Sequence, residues 1–364
     1  MTAPGEAARR KPTRRPTIKD IARRAGVSES AVSFALNDRP GVSQDTRARV
    51  RRVAEELGWQ ASSAARALSG ERVGCVGLVL ARPAQTLGVE SFFLQLVSGI
   101  QEVLSARKIA LLFQVVADLD TECALYRRWW AEGRVDGVLV VDPRTEDPRP
   151  VLLASLGLPA VVVGGLAAQP PDAPRPPATH PPLATVWADD AKAMATILDH
   201  LHALGHRRIA HVAGMPGLAH TERRIRSLRT EAELRGLDKR QVRSVTTDYS
   251  DAEGAEATRR ILDTAEPPTA IIYDNDVMAV AGASVAAGRG IPVPDRLSIV
   301  AWDDSALCRV THPRLTALVR DTPGFGRLAA QELLAVLDGG PLRTVQGELP
   351  QLEARESTGS PPAP

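Results

Sequence analysis

The spacing of apolar positions along this chain changes once, and the change divides it. Between Thr17 and Leu57 the apolar residues recur at helical intervals. Ile18, Ile21, Ala22 and Ala25 mark one helix face, with Thr17 suited to cap its start and Gly26 to end it in the left-handed conformation. Ser28 is placed to cap a second helix running from about Glu29 to Leu36, with Ala31, Val32, Ala35 and Leu36 inward. Ser43 opens a third, whose buried stripe is Val50, Val53, Ala54 and Leu57 and whose stop is Gly58. Two short helices joined by a tight glycine-containing turn predict a helix-turn-helix. Its second helix turns Glu29, Ser30, Ser33, Phe34 and Asn37 outward, the side that faces the DNA major groove in such motifs.

From Val73 onward short continuous apolar runs alternate with amphipathic stretches. The predicted strands are Val73–Leu80, Ala110–Val116, Gly137–Val141, Ala160–Val163, Arg208–Val212, Ala270–Tyr273 and Ser298–Ala301. Helices are expected to begin near Phe92, Thr121, Asp190, Arg223, Ala252 and Asp276. This alternation predicts an α/β fold of parallel sheets covered on both faces. The stretch is long for one hydrophobic core, so two lobes are expected. Between them Ala167–Pro182 (AAQPPDAPRPPATHPP) suits neither a helix nor a central strand and reads as a surface insertion. Ser62–Ser69, with Ala64, Ala65, Ala67 and Leu68, is too short to be a stable helix alone. It is expected to fold when paired with a second copy over DNA, with Ala65 and Leu68 toward the nucleic acid and Leu68 wedged into the minor groove. A plain linker with Leu68 packed on the next domain is the alternative.

Charge sharpens the division. The whole chain carries a net charge of +2, yet residues 1–70 hold 14 Lys and Arg against 7 Asp and Glu, and the remainder is net acidic. Only the front is suited to a polyanion. Within it, Arg9, Arg10, Lys11, Arg14 and Arg15 lie in an arm expected to be disordered and able to follow phosphates, and Arg47, Arg49, Arg51 and Arg52 lie along the third helix. The 44% hydrophobic and 24% charged composition is that of a soluble globular protein. No apolar run reaches the ~18 residues of a membrane span, and Met1–Arg15 lacks the apolar core of a secretory signal. The three cysteines, Cys75, Cys123 and Cys308, have no metal or redox spacing and fit a reducing cytoplasm.

The stretches TIKDIARRAGVSESAVSFALNDRPGVSQDTRARV and ELGWQASSAARALSG resemble the headpiece and hinge of the LacI/GalR family of transcription regulators. The resemblance continues through SFFLQLVSGI at Ser91–Ile100, RVDGVLVV at Arg134–Val141, the GHRRIAHVAG run ending at Gly214, PTAIIYDNDVMA, IPVPDRLSIVAWDDS and LPQLEARESTG. It implies two Rossmann-like lobes, as in periplasmic sugar-binding proteins, with a ligand clamped between them outside the strand ends. The implied division is a basic arm at 1–16, a DNA-binding domain at 17–60, a hinge helix at 61–70, a ligand domain at 71–358 and a disordered tail at 359–364. Lobe one takes about 71–185 and 321–348; lobe two takes about 186–318 and the C-terminal strand. Two departures stand out. Phe34 replaces the family's usual arginine, and Ala61-Ser62 replaces the usual Pro-Asn before the hinge.

By the same resemblance, Arg224, Asn275, Asp303 and Tyr249 match the ligand-binding pattern: a bidentate fork, an amide, a carboxylate and an aromatic ring suit a polyhydroxyl ligand. Phe92, Phe93, His220 and Arg320 are further candidates, and Gly164 stands where many sugar-binding members have an acid. Thr17 and Ser28 join the outward residues of the second helix as DNA-contact candidates. His200, His202, His206 and His211 lack a completing acid and read as structural. No phosphate loop, GxSxG elbow or catalytic constellation is present, so neither an enzyme nor a cofactor is expected. The expectation is a cytoplasmic homodimeric regulator, by family likeness a repressor, that binds palindromic operator DNA and a sugar-like effector and has no membrane partner. A transport receptor and a nucleotide-dependent enzyme are the competing classes; the basic headpiece argues against the first and the missing phosphate loop against the second.

Overall fold

The computed structural model describes residues 16–59, 72–82, 91–165 and 183–362. The chain divides into two units, Met1–Glu71 and Arg72–Pro364. The basic arm, the hinge residues Ala65 and Leu68, and the proline-rich insertion lie outside the described residues.

The first unit holds three helices, α1 (Ile18–Ala25), α2 (Glu29–Leu36) and α3 (Gln44–Glu56). Each begins at the expected cap. Thr17 donates from its backbone N–H and its hydroxyl to the Asp20 carboxylate, at 2.9 and 2.7 Å. Ser28 Oγ accepts from the Ala31 N–H and Ser43 Oγ from the Thr46 N–H. Gly26, at φ +66°, turns the chain sharply between α1 and α2, a conformation that costs other residues energy. Ile21, Ala22, Ala25, Val32, Ala35, Val50, Val53 and Ala54 form the core, and Leu36, Leu57 and Trp59 pack around it.

The second unit is two α/β lobes of matching topology. Lobe one is a six-stranded sheet of order β11-β5-β4-β3-β1-β2. Its strands are β1 (Cys75–Ala81), β2 (Ala110–Val116), β3 (Gly137–Val140), β4 (Ala160–Val163), β5 (Ala184–Trp187) and β11 (Thr344–Gln346). Its helices are α4 (Ser91–Ala106), α5 (Leu119–Ala131), α6 (Arg149–Leu156) and α12 (Thr322–Leu337). Lobe two is a sheet of order β12-β10-β9-β8-β6-β7. It comprises β6 (Ile209–Ala213), β7 (Val242–Thr246), β8 (Ala270–Tyr273), β9 (Ser298–Ala301), β10 (Thr316–Val319) and β12 (Gln351–Glu353). Helices α7 (Asp190–Ala203), α8 (Ala219–Leu234), α9 (Asp251–Leu262), α10 (Asp276–Gly288) and α11 (Ala306–Val310) complete it. Among the described strands only β12 runs antiparallel. Strands β3, β4, β8 and β9 are buried along their whole length, as the unbroken apolar runs require. Three connections join the lobes, after β5, after β10 and after β11.

Several boundaries differ from expectation. Strand β5 stays in the lobe-one sheet through Trp187, paired with both β4 and β11, so the first crossover follows 187 rather than 185. Helix α8 begins at Ala219, four residues before Arg223, so Arg224 sits one turn in rather than at the start. Gly359 is not part of a loose tail: its N–H donates to Ser298 Oγ and its carbonyl accepts from His206 Nε2. The short strands β5, β7, β10 and β11 and the helices α6, α11 and α12 were not expected. In α12 the run Pro323, Gly324, Gly326 obscures the helical signal. Proline is tolerated in a first helical turn, and Gly326 is there for packing.

Two features hold the first residues of the second unit against lobe one. The Asp136 carboxylate accepts from the N–H groups of Val73, Gly74 and Cys75. Arg72 donates to the Leu337 carbonyl and to Asp338 at the C-terminal end of α12. Helices α4 and α12 approach at backbone distance: a Cβ on Gly99 would lie 1.9 Å from the Pro323 carbonyl oxygen, and one on Gly326 2.2 Å from that of Leu96. Gly99→Ala is therefore expected to destabilise the ligand-binding unit by ~1–3 kcal/mol or more through overpacking, read as a lower urea midpoint. An unchanged midpoint would show that the helix pair can separate without cost.

Candidate functional site

In the first unit the outward face of α2 carries Glu29, Ser30, Phe34 and Asn37 exposed, with Ser33 half-buried. Thr17 and Ser28 are occupied as caps, Ser28 Oγ lying also 2.9 Å from Ser30 Oγ. Phe34 is 38% exposed and its ring rests beside Gly41, where a Cβ would come within 3.3 Å. The outward face of α2 thus offers small hydroxyls around one aromatic ring. The α3 arginines divide by role. Arg47 and Arg51 both bind Asp38, at 2.5 and 2.7 Å. Arg49 and Arg52 are exposed and form no ion pair among the described residues.

In the second unit seven of the eight candidates converge on one cleft between the lobes: Phe92, Phe93, His220, Arg224, Tyr249, Asp303 and Arg320. The cleft lies where parallel sheets place ligands, outside the carboxyl ends of their strands. Arg82 follows β1, Gly164 follows β4, Asp274 follows β8, Asp303 lies just beyond β9 and Arg320 follows β10.

Asn275 is the exception. Its Oδ1 accepts from the Met278 N–H and its Nδ2 donates to the Tyr249 carbonyl, so it caps α10 and does not line the cleft. The neighbouring Asp274 does. Asp274 accepts from His211 Nε2 and from the Gly214 N–H, both at 2.9 Å, and pairs with Arg224 at 3.2 Å. Burial opposes its ionisation, but Arg224 and His211 prevail and hold it well below the usual carboxylate range. Arg224 also reaches Asp190 at 3.2 Å and lies over the Trp302 ring at 4.1 Å. It is a rigid, desolvated fork.

The opposite wall is equally ordered. Arg82 binds Asp142 at 2.5 Å, and its guanidinium lies between Phe93 of lobe one and Tyr249 of lobe two, 5.0 and 4.7 Å from their ring centres. Tyr249 holds an unusual φ of +72°, and its ring fills the space beside Gly214, where any Cβ would overlap it. Its hydroxyl meets His220 Nε2 at 2.8 Å. Arg320 binds Asp303 and stacks on Phe92. Gly164, in the position expected to carry an acid, offers its backbone instead: Arg223 donates to the Gly164 and Gly165 carbonyls across the cleft while holding Asp190 at 2.9 Å. Arg82, Asp142, Asp190, Arg223 and Asp274 were not anticipated. The available signal was positional, since Arg82, Asp142 and Asp274 each lie within two residues of the end of an apolar strand.

Comparison with known proteins matches both units of the chain. Residues 17–62 match the model of bacterial regulatory proteins of the lacI family, and residues 198–358 match a periplasmic binding protein-like domain. The transcriptional regulator CelR of Thermobifida fusca is 30% identical over 90% of this chain and 93% of its own. The chain belongs to the LacI family. It is a DNA-binding transcriptional regulator with an effector-binding domain, and the family are regulators, not enzymes. A solved CelR–cellobiose complex is 28% identical, with a TM-score of 0.68, over 94% of this chain and all of that one. The lac repressor dimer bound to operator and the anti-inducer ONPF is 21% identical with a TM-score of 0.78, covering 95% of this chain and 100% of that one, a likeness of fold.

Two histidines of this LacI-family chain, His200 and His206, lie away from the cleft and hydrogen-bond to the C-terminal segment. His200 meets Thr358 Oγ1, and His206 bridges Thr269 and Gly359. Among the described residues no three His, Cys, Asp or Glu side chains gather as a metal site, and no helix is long and apolar enough to cross a membrane. Burial drives the His206 pKa down to about 4; burial and then Arg224 drive that of His220 to about 3. Unfolded, both would protonate near 6.5. The unfolded chain therefore binds more protons between those values, and stability present above pH ~6.5 is lost as pH falls toward ~4. Each histidine is expected to cost about 2 kcal/mol by pH ~5. Thermal midpoints at pH ~7 and ~5 should show a smaller drop for His206→Gln than for wild type; equal drops would remove His206 from the account.

Proposed function

We propose that this regulator is a repressor that binds a palindromic operator as a homodimer, and that a sugar or sugar derivative held between the lobes sets its operator affinity. The observation that carries the effector half is the cleft: desolvated arginine forks, paired carboxylates and aromatic rings at the strand ends of both lobes. Those groups supply the bidentate hydrogen bonds and apolar faces a sugar requires. Solved likeness to a cellobiose complex supports the same class.

The operator half rests on α2 and on two-fold economy. One headpiece reads one half-site, so a pair is needed for a full operator. Apolar surface suited to a second copy is present on both lobes. Edge strand β2 exposes Phe113 and Val115, α4 exposes Leu94, and α11 exposes Leu307 and Val310. Likeness of fold to a repressor dimer on operator DNA supports this arrangement. Phe34 is assigned to apolar contact with a thymine methyl group, in place of an arginine–guanine pair.

Selection of bound sites from a random double-stranded DNA pool by the full-length protein tests the reading. The expected outcome is a palindrome with two half-sites. Phe34→Ala should then lose ~1–3 kcal/mol on that site and relax the preference at one thymine per half-site. Recovery of no consensus, with binding that vanishes as salt rises, would reduce the headpiece to a non-specific polyanion binder.

A further inference from the structure

The cleft between the strand ends is nearly full. It holds about 70 Å³ of open space, room for about two waters at ~30 Å³ each. Its charged side chains are already paired with one another: Arg82 with Asp142, Arg224 with Asp190 and Asp274, Arg320 with Asp303. A sugar ring entering there must part some of these pairs.

Directly beyond Arg320 the space opens. A second pocket of 370 Å³ shares Phe92, Ala188, Asp190, Arg320 and Phe325 with the cleft, so the two are neighbouring chambers behind a common wall. Its size lies within the ~300–1,000 Å³ range of small-molecule sites, which the inner chamber's does not. All three crossovers border it, through Ala188–Asp190, Arg320–Thr322 and Gln346–Pro350. Trp302 and Phe325 give it aromatic surface, and Asp189, Gln331, Gln346 and Glu348 give it carboxylates and amides. Of its two cations, Arg320 is held by Asp303 and Arg327 by Asp321 and Glu102. Aromatic faces with exposed amides and a carboxylate at Glu348 fit an uncharged polyhydroxyl ring and offer little to a phosphate. Gln331, Gln346 and Glu348 are exposed, so this chamber communicates with solvent.

We propose that the effector is an uncharged oligosaccharide of at least two linked rings. One ring occupies the crossover chamber, against Phe325 and Trp302 and within reach of Gln346 and Glu348. The adjoining ring enters the inner cleft past Arg320 and Asp303. This rests on the sugar reading above and adds its size and its second subsite. Residues of the third crossover thereby become specificity determinants. Gly347 is held there by its N–H bond to the Trp187 carbonyl, and a Cβ on it would come 2.7 Å from the Phe325 ring.

Calorimetric titration of the full-length protein with glucose, cellobiose, cellotriose, maltose and maltotriose tests the proposal, with hypoxanthine run in parallel. At least one di- or trisaccharide is expected to bind about tenfold or more tightly than glucose. Gln346→Ala and Glu348→Ala, both at exposed positions, should each remove most of that advantage while leaving the thermal midpoint unchanged. Glucose binding as tightly as every longer sugar, or rim variants that leave the advantage intact, would overturn the second subsite while the sugar reading stood. Failure of all five saccharides to bind, whether or not hypoxanthine binds, would overturn the sugar reading and the subsite with it.

Discussion

Asp190 carries the organisation of the ligand-binding unit. It is the first residue of α7, reached directly after the first crossover, and it is 6% exposed. Its two carboxylate oxygens take Arg223 and Arg224, adjacent residues that point to different tasks. Arg224 turns to Asp274 and the Trp302 ring within lobe two; Arg223 crosses to the lobe-one carbonyls of Gly164 and Gly165. Burial works against a charge at Asp190, yet the two arginines prevail and hold its pKa below the ordinary value. Removing one partner of such a cluster leaves buried charge uncompensated, a cost of ~3–5 kcal/mol. The cleft is therefore a balanced set of charges in which each arginine has at least one acid.

Much of this was legible in the sequence. The three headpiece helices, with caps at Thr17, Ser28 and Ser43 and a stop at Gly26, follow from local rules that depend on few neighbours. The buried strands of both lobes announced themselves as unbroken apolar runs. What escaped was decided by tertiary partners. Strand β11 exposes Thr344 and Gln346 and exists because β5 lies beside it. Helix α12 breaks the propensity rules in its first turns because α4 demands glycine at Gly326. Asn275 and Asp274 are adjacent, and only the geometry of the α10 cap decides which side chain turns into the cleft. Strand ends locate a site to within a residue or two; the cap settles the last residue.

The absence of a side chain at Gly164 has a similar lesson. A pattern comparison registers it as a missing acid. In the fold the position still accepts hydrogen bonds, through a main-chain carbonyl turned toward Arg223 by a φ of +107°. An acceptor without a titratable group or rotamers replaces one with both. The crossing between lobes at this point is accordingly insensitive to the protonation of residue 164.

Helix α12 has a mechanical consequence. Its 16 residues span about 24 Å, beginning two residues after the crossover arginine of the cleft and ending at the carbonyl and carboxylate that grip Arg72. Glycine-tight contact with α4 leaves little room for it to flex. A rod of this kind has no soft joint along its length, so a tilt at the crossover end must be matched by a displacement at Arg72. The chain enters the second unit at the far end of a lever whose near end stands in the cleft between the lobes.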